Sequence, residues 1–346
     1  MASLIVPIIG DSNTGCGEFH LSSDDTIDPA IWMIDRSTVK TTPAIIPCTE
    51  SILDANNGAK GNIGMIANSV GSTLALCRLL SSRGKIPPGY DKIILAGYAW
   101  AGTAFVNQWA VTGSRLALDG DGTNGNPGFY AVTGAAIALD PNNRIWFYDW
   151  SGFGANASTD VNFQSEAAAM FAEMRSTLRS GSSAPVLVTP PPPDRAPVSL
   201  GGATGLVTIT AIQANCAAWL PNSYYVDPTG LPSEMGGTQP FIHYSAAAQR
   251  GGVDNSGLVT SLYSSNSWVW NSGVTYAAGN HVLGSDNWCY NSVGNGNIGI
   301  DPTTDGGVHW TKTTYQYGRN ITDPLSERKY RAIVNSPMFY QFAGSW

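Results

Sequence analysis

The residues best suited to chemistry come early in the chain. Gly10-Asp11-Ser12-Asn13 follows directly on the apolar run Leu4–Ile9. A serine on a tight glycine turn at the carboxyl end of a strand is suited to nucleophilic attack, and its own amide can face a developing oxyanion. Alone, such a turn is more often a polar cap on the next element, so its meaning depends on what else the chain supplies. Three further segments follow apolar runs: Ala99-Trp100-Ala101-Gly102-Thr103, Gly152-Phe153-Gly154-Ala155-Asn156 and Phe241-Ile242-His243-Tyr244-Ser245. Among the four histidines, His243 is the one that follows the last run; His20, His281 and His309 stand in no such neighbourhood. Other matches are weak. Ser37–Lys40 and Ser82–Lys85 fit S-x-x-K without its partner motifs. The stretch Asp119–Asn126 has the acids of a calcium loop but lacks its glycine and terminal acid, so a solvated turn is expected.

The elements that must position these residues are legible as alternating runs. Leu4–Ile9, Ile93–Ala96, Ile145–Tyr148, Val186–Thr189 and Tyr224–Val226 are near-continuous apolar runs, the pattern of strands buried on both faces. Between them lie helix-compatible stretches at Gly64–Leu80, Phe129–Leu139, Phe163–Leu178 and Leu206–Trp219. In the third, Phe163, Ala167, Met170, Phe171, Met174 and Leu178 recur at helical spacing, with Arg175 and Arg179 in the last turn. Strand–helix alternation predicts a parallel sheet covered on both faces, with its ligand site at the carboxyl ends of the strands. The proline-rich segment Thr189–Ala203 is expected to be a loop bordering that site.

In this order, each after a strand, the four segments resemble the four blocks of the SGNH (GDSL-like) hydrolase superfamily. Within it, the carbohydrate O-acetylesterases are the nearest likeness, over residues 4–251. The resemblance implies a flavodoxin-like three-layer α/β/α fold with a parallel sheet. It implies Ser12 as nucleophile and His243 as general base. The amides of Ser12 and Gly102 and the side chain of Asn156 would be the oxyanion-hole donors. No cofactor and no metal are implied. One position departs from the pattern: Pro240 stands where the family usually has the aspartate that orients the histidine. Either a backbone carbonyl orients His243, or an acid arrives from elsewhere, with Glu234 favoured over Asp227.

Beyond residue 260 the texture changes to short aromatic pieces separated by Gly, Asn and Asp, which predicts a small all-β C-terminal module. Its pattern of Trp270, Tyr276, Gly279, Val282, Tyr290, Pro302 and Trp310 resembles the small carbohydrate-binding modules of chitinases and phage tail proteins. The rings of Trp270, Trp288, Tyr290 and Trp310 are candidates for stacking on sugar C–H faces, or equally for forming the module's own core. The expected organisation is an esterase domain over 1–260, the module over 261–315 and a docking or assembly tail over 316–346. From Leu262 onward Asp286, Asp301, Asp305, Asp323 and Glu327 balance Lys312, Arg319, Arg328, Lys329 and Arg331, so the net charge of −7 sits in the first part.

Composition narrows the function classes. With 43% hydrophobic residues the chain can build a sizeable core, and its acidic balance argues against a nucleic-acid partner. No apolar run approaches the roughly 18–20 residues of a membrane span, and Met1–Ser12 does not read as a signal peptide. The 5 cysteines are scattered and odd in number, so buried free thiols are expected rather than disulfides or a zinc site. The expectation is a serine esterase acting on an acetylated polysaccharide such as bacterial surface glycan, located outside the cell or on a virion as a phage tail protein. Its partners would be other copies of the chain or tail components. The rivals are a non-catalytic glycan-binding adhesin and a lipase or thioesterase of the same superfamily.

Overall fold

The computed structural model describes residues 2–10, 27–35, 38–39, 41–48, 71–99, 105–121, 126–151, 162–179, 183–192, 203–232, 244–253, 269–316 and 318–340. The first half contains strands β1 (Ala2–Gly10), β2 (Ile31–Ile34) and β3 (Ile45–Pro47), helix α1 (Ser72–Ser82), β4 (Tyr90–Ala99) and helix α2 (Leu116–Asp119). There follow the two-residue arms β5 (Gly120–Asp121) and β6 (Asn126–Pro127), then α3 (Phe129–Ala138), β7 (Arg144–Ile145) and β8 (Tyr148–Ser151). Next come α4 (Phe163–Thr177), β9 (Val186–Thr189), α5 (Ala203–Ala214), β10 (Ser223–Tyr225), α6 (Ala246–Arg250) and β11 (Gly252–Val253).

One sheet organises the molecule, in the order β10-β9-β8-β1-β4-β2-β3, with β7 pairing β1 just upstream of β8. Every neighbouring pair is parallel except the antiparallel edge pair β2–β3. The five apolar runs mark the strands β4-β1-β8-β9-β10, whose order is the flavodoxin-like 2-1-3-4-5; the third run, Ile145–Tyr148, starts in β7 and reaches only the first residue of β8. The β2–β3 edge extends it; its short Ile-Trp-Met-Ile run is the signal that marks it in the sequence.

The central strand explains why its run is continuous. Leu4, Val6 and Ile8 point to one face, where α1 and α6 pack, whereas Ile5 and Ile9 point to the other, against α3, α4 and α5. Both faces are dry, and the run Leu4–Ile9 accordingly carries no polar side chain. Helix α4 buries Phe163, Ala167, Met170, Phe171 and Met174 as the spacing predicts, with Glu166 in its first turn and Arg175 in its last. Helix α3 spans the expected segment, and the stretch expected to be helical over Leu206–Trp219 is α5 followed by a 3₁₀ turn, Cys216–Ala218. Of the stretch Gly64–Leu80, residues 64–70 lie outside the described residues.

The aromatic part forms a separate three-stranded antiparallel sheet, β12 (His281–Leu283), β13 (Trp288–Ser292) and β14 (Trp310–Gln316). Its core is small: Tyr276, Val282, Tyr290 and Trp310. After it the chain makes β15 (Asn320–Ile321) and α7 (Leu325–Val334). Strand β15 pairs antiparallel with β11, Gly252 opposite Ile321 and Val253 opposite Asn320. The chain therefore leaves the α/β part and returns to it at one point, and its last helix belongs to the first layer. Leu325, Tyr330, Ala332, Ile333 and Phe339 join the same core as Leu74 and Leu76 of α1. The Trp146 indole, fully buried, donates to the Phe339 carbonyl at 2.8 Å.

The four described cysteines, Cys48, Cys77, Cys216 and Cys289, are buried. Asp119, at the start of the acidic stretch, pairs with Arg115 at 2.7 Å beside the β5–β6 ladder. Among the described residues no cluster of His, Cys, Asp or Glu could hold a metal ion, and no helix is long and apolar enough to cross a membrane.

Candidate active site

Three strands end side by side. Gly10, the last residue of β1, is opposite Ala99 of β4 on one side and Ser151 of β8 on the other. Ser151 is in turn opposite Thr189, the last residue of β9, and the Val226 amide, just past β10, donates to the Val188 carbonyl at 2.9 Å. The carboxyl ends of all five core strands are thus level along one edge. In chain order β2, β3 and β4 lie on one side of β1, and β8, β9 and β10 follow on the other. The chain reverses its direction of winding at β1, and such switch points are where open α/β sheets bind ligands.

Ser12, Gly102 and Asn156 lie outside the described residues, as do Glu234, Pro240 and His243. The residues leading into the first three segments are the level strand ends: Ser12 is two positions after Gly10, Gly102 three after Ala99 and Asn156 five after Ser151. The fourth segment is tied to the same edge by its neighbour. Tyr244, next after His243 and buried, donates its hydroxyl proton to the carbonyl of Pro190, the residue after β9, at 2.7 Å. Ser245 caps α6: its Oγ accepts from the Ala248 amide at 3.1 Å, while its own amide donates to the Pro232 carbonyl at 3.2 Å.

Asp227, the second acid considered as a partner for His243, is engaged in its own turn. Its Oδ1 accepts from the Thr229 hydroxyl at 2.7 Å and the Thr229 amide at 2.9 Å. These bonds, the hydroxyl first, hold the Asp227 carboxyl below the usual aspartate range.

A buried charge network that the sequence reading did not single out lies beneath this edge. Asp149 of β8 is fully buried and opposite Ile8 of β1. Its Oδ1 and Oδ2 accept from the Lys329 ammonium of α7 at 2.6 and 2.8 Å, and Oδ2 also accepts from Thr73 of α1 at 2.8 Å. Lys329 is likewise fully buried. Cys77, one turn on from Thr73, has its thiol pushed well up by burial, with Asp149 adding to the shift and Lys329 opposing it, so the thiolate is disfavoured. The signal in the sequence is an aspartate directly after an apolar strand run and a lysine on the buried face of a helix.

The four module rings divide by position. Trp310 is 1% exposed, donates its indole N–H to the Ile300 carbonyl at 2.9 Å and meets Tyr276 edge-on, so it fills the module core. Tyr290 is buried as well, its hydroxyl donating to Asp286 at 2.8 Å. Trp270 and Trp288 are half-buried and pack against that core from outside. The Lys312 ammonium sits 4.5 Å over the Trp288 ring and 3.0 Å from Asp286, so this ring lies within a charged surround.

No protein-family model matches the chain, and no curated protein matches it in sequence. Solved structures similar to it include NanS, 16% identical with a TM-score of 0.47, over 72% of this chain and 93% of that one. Another is a protein from Arabidopsis thaliana, 14% identical with a TM-score of 0.47, over 71% of this chain and 92% of that one.

Proposed function

We propose that the chain is a serine esterase of SGNH type that removes O-acetyl groups from a polysaccharide. The observation that carries this reading is the register of the strand ends. Gly10, Ala99 and Ser151 stand level at the switch point of the sheet, directly upstream of the segments holding Ser12, Gly102 and Asn156. The Tyr244–Pro190 bond, next to His243 in sequence, supports the same grouping.

In this mechanism Ser12 Oγ attacks the acetyl carbonyl carbon while His243 takes its proton. The oxyanion accepts hydrogen bonds from the Ser12 and Gly102 amides and the Asn156 side chain. His243 then protonates the departing sugar hydroxyl, leaving acetyl-Ser12. Water, deprotonated by His243, attacks that ester, and acetate leaves as the proton returns to Ser12. With proline at 240, a backbone carbonyl or Glu234 orients the imidazole. Serine, base and oxyanion hole contribute separately, so the missing aspartate does not by itself abolish turnover. The aromatic module fits a polysaccharide target better than a lipid. A bacterial surface glycan, met by a phage tail protein, is the setting we assign to it.

The second reading is a glycan-binding adhesin on a hydrolase fold, and Pro240 is the observation that favours it. Hydrolysis of p-nitrophenyl acetate separates the two. The parent chain is expected to turn the ester over, and Ser12→Ala to lose at least about a thousandfold in kcat/KM. Acetate release from an acetylated polysaccharide then identifies the substrate class. A folded chain inert toward both substrates would move the assignment to the adhesin.

A further inference from the structure

A concavity opens at the carboxyl-terminal edge of the sheet, between the end of β10 and α7. It encloses about 580 Å³ and is lined by Tyr224, Asp227, Asp323, Arg328, Arg331 and Asn335, among others. We infer that this cleft is a subsite for a neutral sugar ring of the polysaccharide, an inference that rests on the substrate class proposed above.

Its walls are fixed. The Arg328 guanidinium donates from Nη1 to the Asp227 and Thr229 carbonyls at 2.7 and 2.9 Å, and from Nε to the carbonyl and Oδ2 of Asp323 at 3.1 and 3.2 Å. These bonds tie α7 to the turn after β10. Arg331 Nη2 lies 2.7 Å from Asp323 Oδ1, and both side chains are about half exposed. Tyr224, on the edge strand, leaves 40% of its surface open.

The charges select the ligand class. Two arginines face two aspartates, so the lining is neutral overall. A phosphate or carboxylate would meet Asp227 and Asp323, and a metal cation would meet Arg328 and Arg331. A sugar ring matches the cleft: its hydroxyls both donate and accept, as the Arg, Asp and Asn side chains require, and its C–H face suits the open Tyr224 ring. The volume falls within the ordinary range of ligand pockets, roughly 300–1,000 Å³. The location suits a polymer, because β10 is three strand spacings from β1, roughly 14 Å at the usual inter-strand distance. One chain of sugars can then occupy the cleft and reach the segment after β1.

The test is affinity electrophoresis of the full chain in gels containing dextran, xylan or galactomannan, with polygalacturonate as the anionic counterpart. At least one neutral polysaccharide is expected to retard the parent chain. Tyr224→Ala is expected to raise the apparent Kd about tenfold, and Asn335→Ala to raise it in the same gel. Thermal unfolding of each variant establishes that it is folded. The inference is overturned if no neutral polysaccharide retards the chain, or if polygalacturonate retards it more strongly. It is equally overturned if both variants migrate like the parent, or if Trp288→Ala abolishes retardation and places the binding on the module. Loss of the esterase reading would appear elsewhere, as absent p-nitrophenyl acetate turnover, which this binding measurement does not involve.

Discussion

Asp149 and Lys329 meet across 180 positions of sequence with both side chains fully buried. Such a pair adds little net stability, because desolvation offsets the Coulomb attraction, but removing one partner strands the other. Lys329→Met is therefore expected to cost about 3–5 kcal/mol in urea unfolding. Adding Asp149→Leu should recover part of that loss, since the carboxylate is then gone as well, and a double-mutant cycle isolates the coupling. If Lys329→Met unfolds at the parent's urea midpoint, the pair is not holding the last helix in place. Each member stands out in the sequence: an acid directly after the apolar run Ile145–Tyr148, and a lysine between Leu325 and Ile333. Their partnership was not legible, because no local pattern specifies which polar residues meet across a core.

At the scale of elements, Asp305 ties together the end of the loop before β14. Asp305 Oδ2 accepts from the amides of His309 and Trp310 at 2.6 and 2.8 Å, and Oδ1 meets His309 Nδ1 at 2.8 Å. Burial pushes this carboxyl up, yet the bonds from the His309 ring and the two amides outweigh it and hold the carboxyl below the usual aspartate range. The sign follows from that direction. The carboxylate stabilises the loop fully above the unfolded value of about 3.9, and the contribution is lost as pH falls through the lower folded value. Tryptophan fluorescence of the module should therefore report loop loosening only under acid. Asp305→Asn should loosen it at neutral pH and flatten the acid transition. An unchanged acid transition in Asp305→Asn would assign that transition to other carboxyls. The five core strands and helices α1, α3, α4 and α5 are legible from near-continuous apolar runs and helical spacing, which are local signals, whereas α7 lies in a stretch expected only to be a docking or assembly tail. The edge pair β2–β3 is less legible although its strands, of 4 and 3 residues, match β9 and β10 in length, because β3 follows β2 antiparallel with no room for a crossover helix and so breaks the strand–helix rhythm.

For the molecule as a whole, the chain order misleads. The aromatic module precedes a helix that completes the first layer, and β11 pairs with β15 where the chain departs and returns. Replacing residues 254–319 by a short Gly/Ser linker should leave the α/β part folded, with one cooperative far-ultraviolet transition near the parent's. Multiple transitions or aggregation would mean that the module carries part of the core. What the sequence determined by itself was the class of the sheet, its five core strands and the order of the segments that follow them. Hydrophobic periodicity and turn chemistry are written within a few residues of one another. Tertiary structure alone decided that Gly10, Ala99 and Ser151 end level and that Tyr224 opens onto a charge-balanced cleft. It also decided that Trp310 faces inward, and that α7 returns across the module to neutralise Asp149. Each of these depends on which distant surfaces pack together, and that is set by burying the whole chain at once rather than by any window of it.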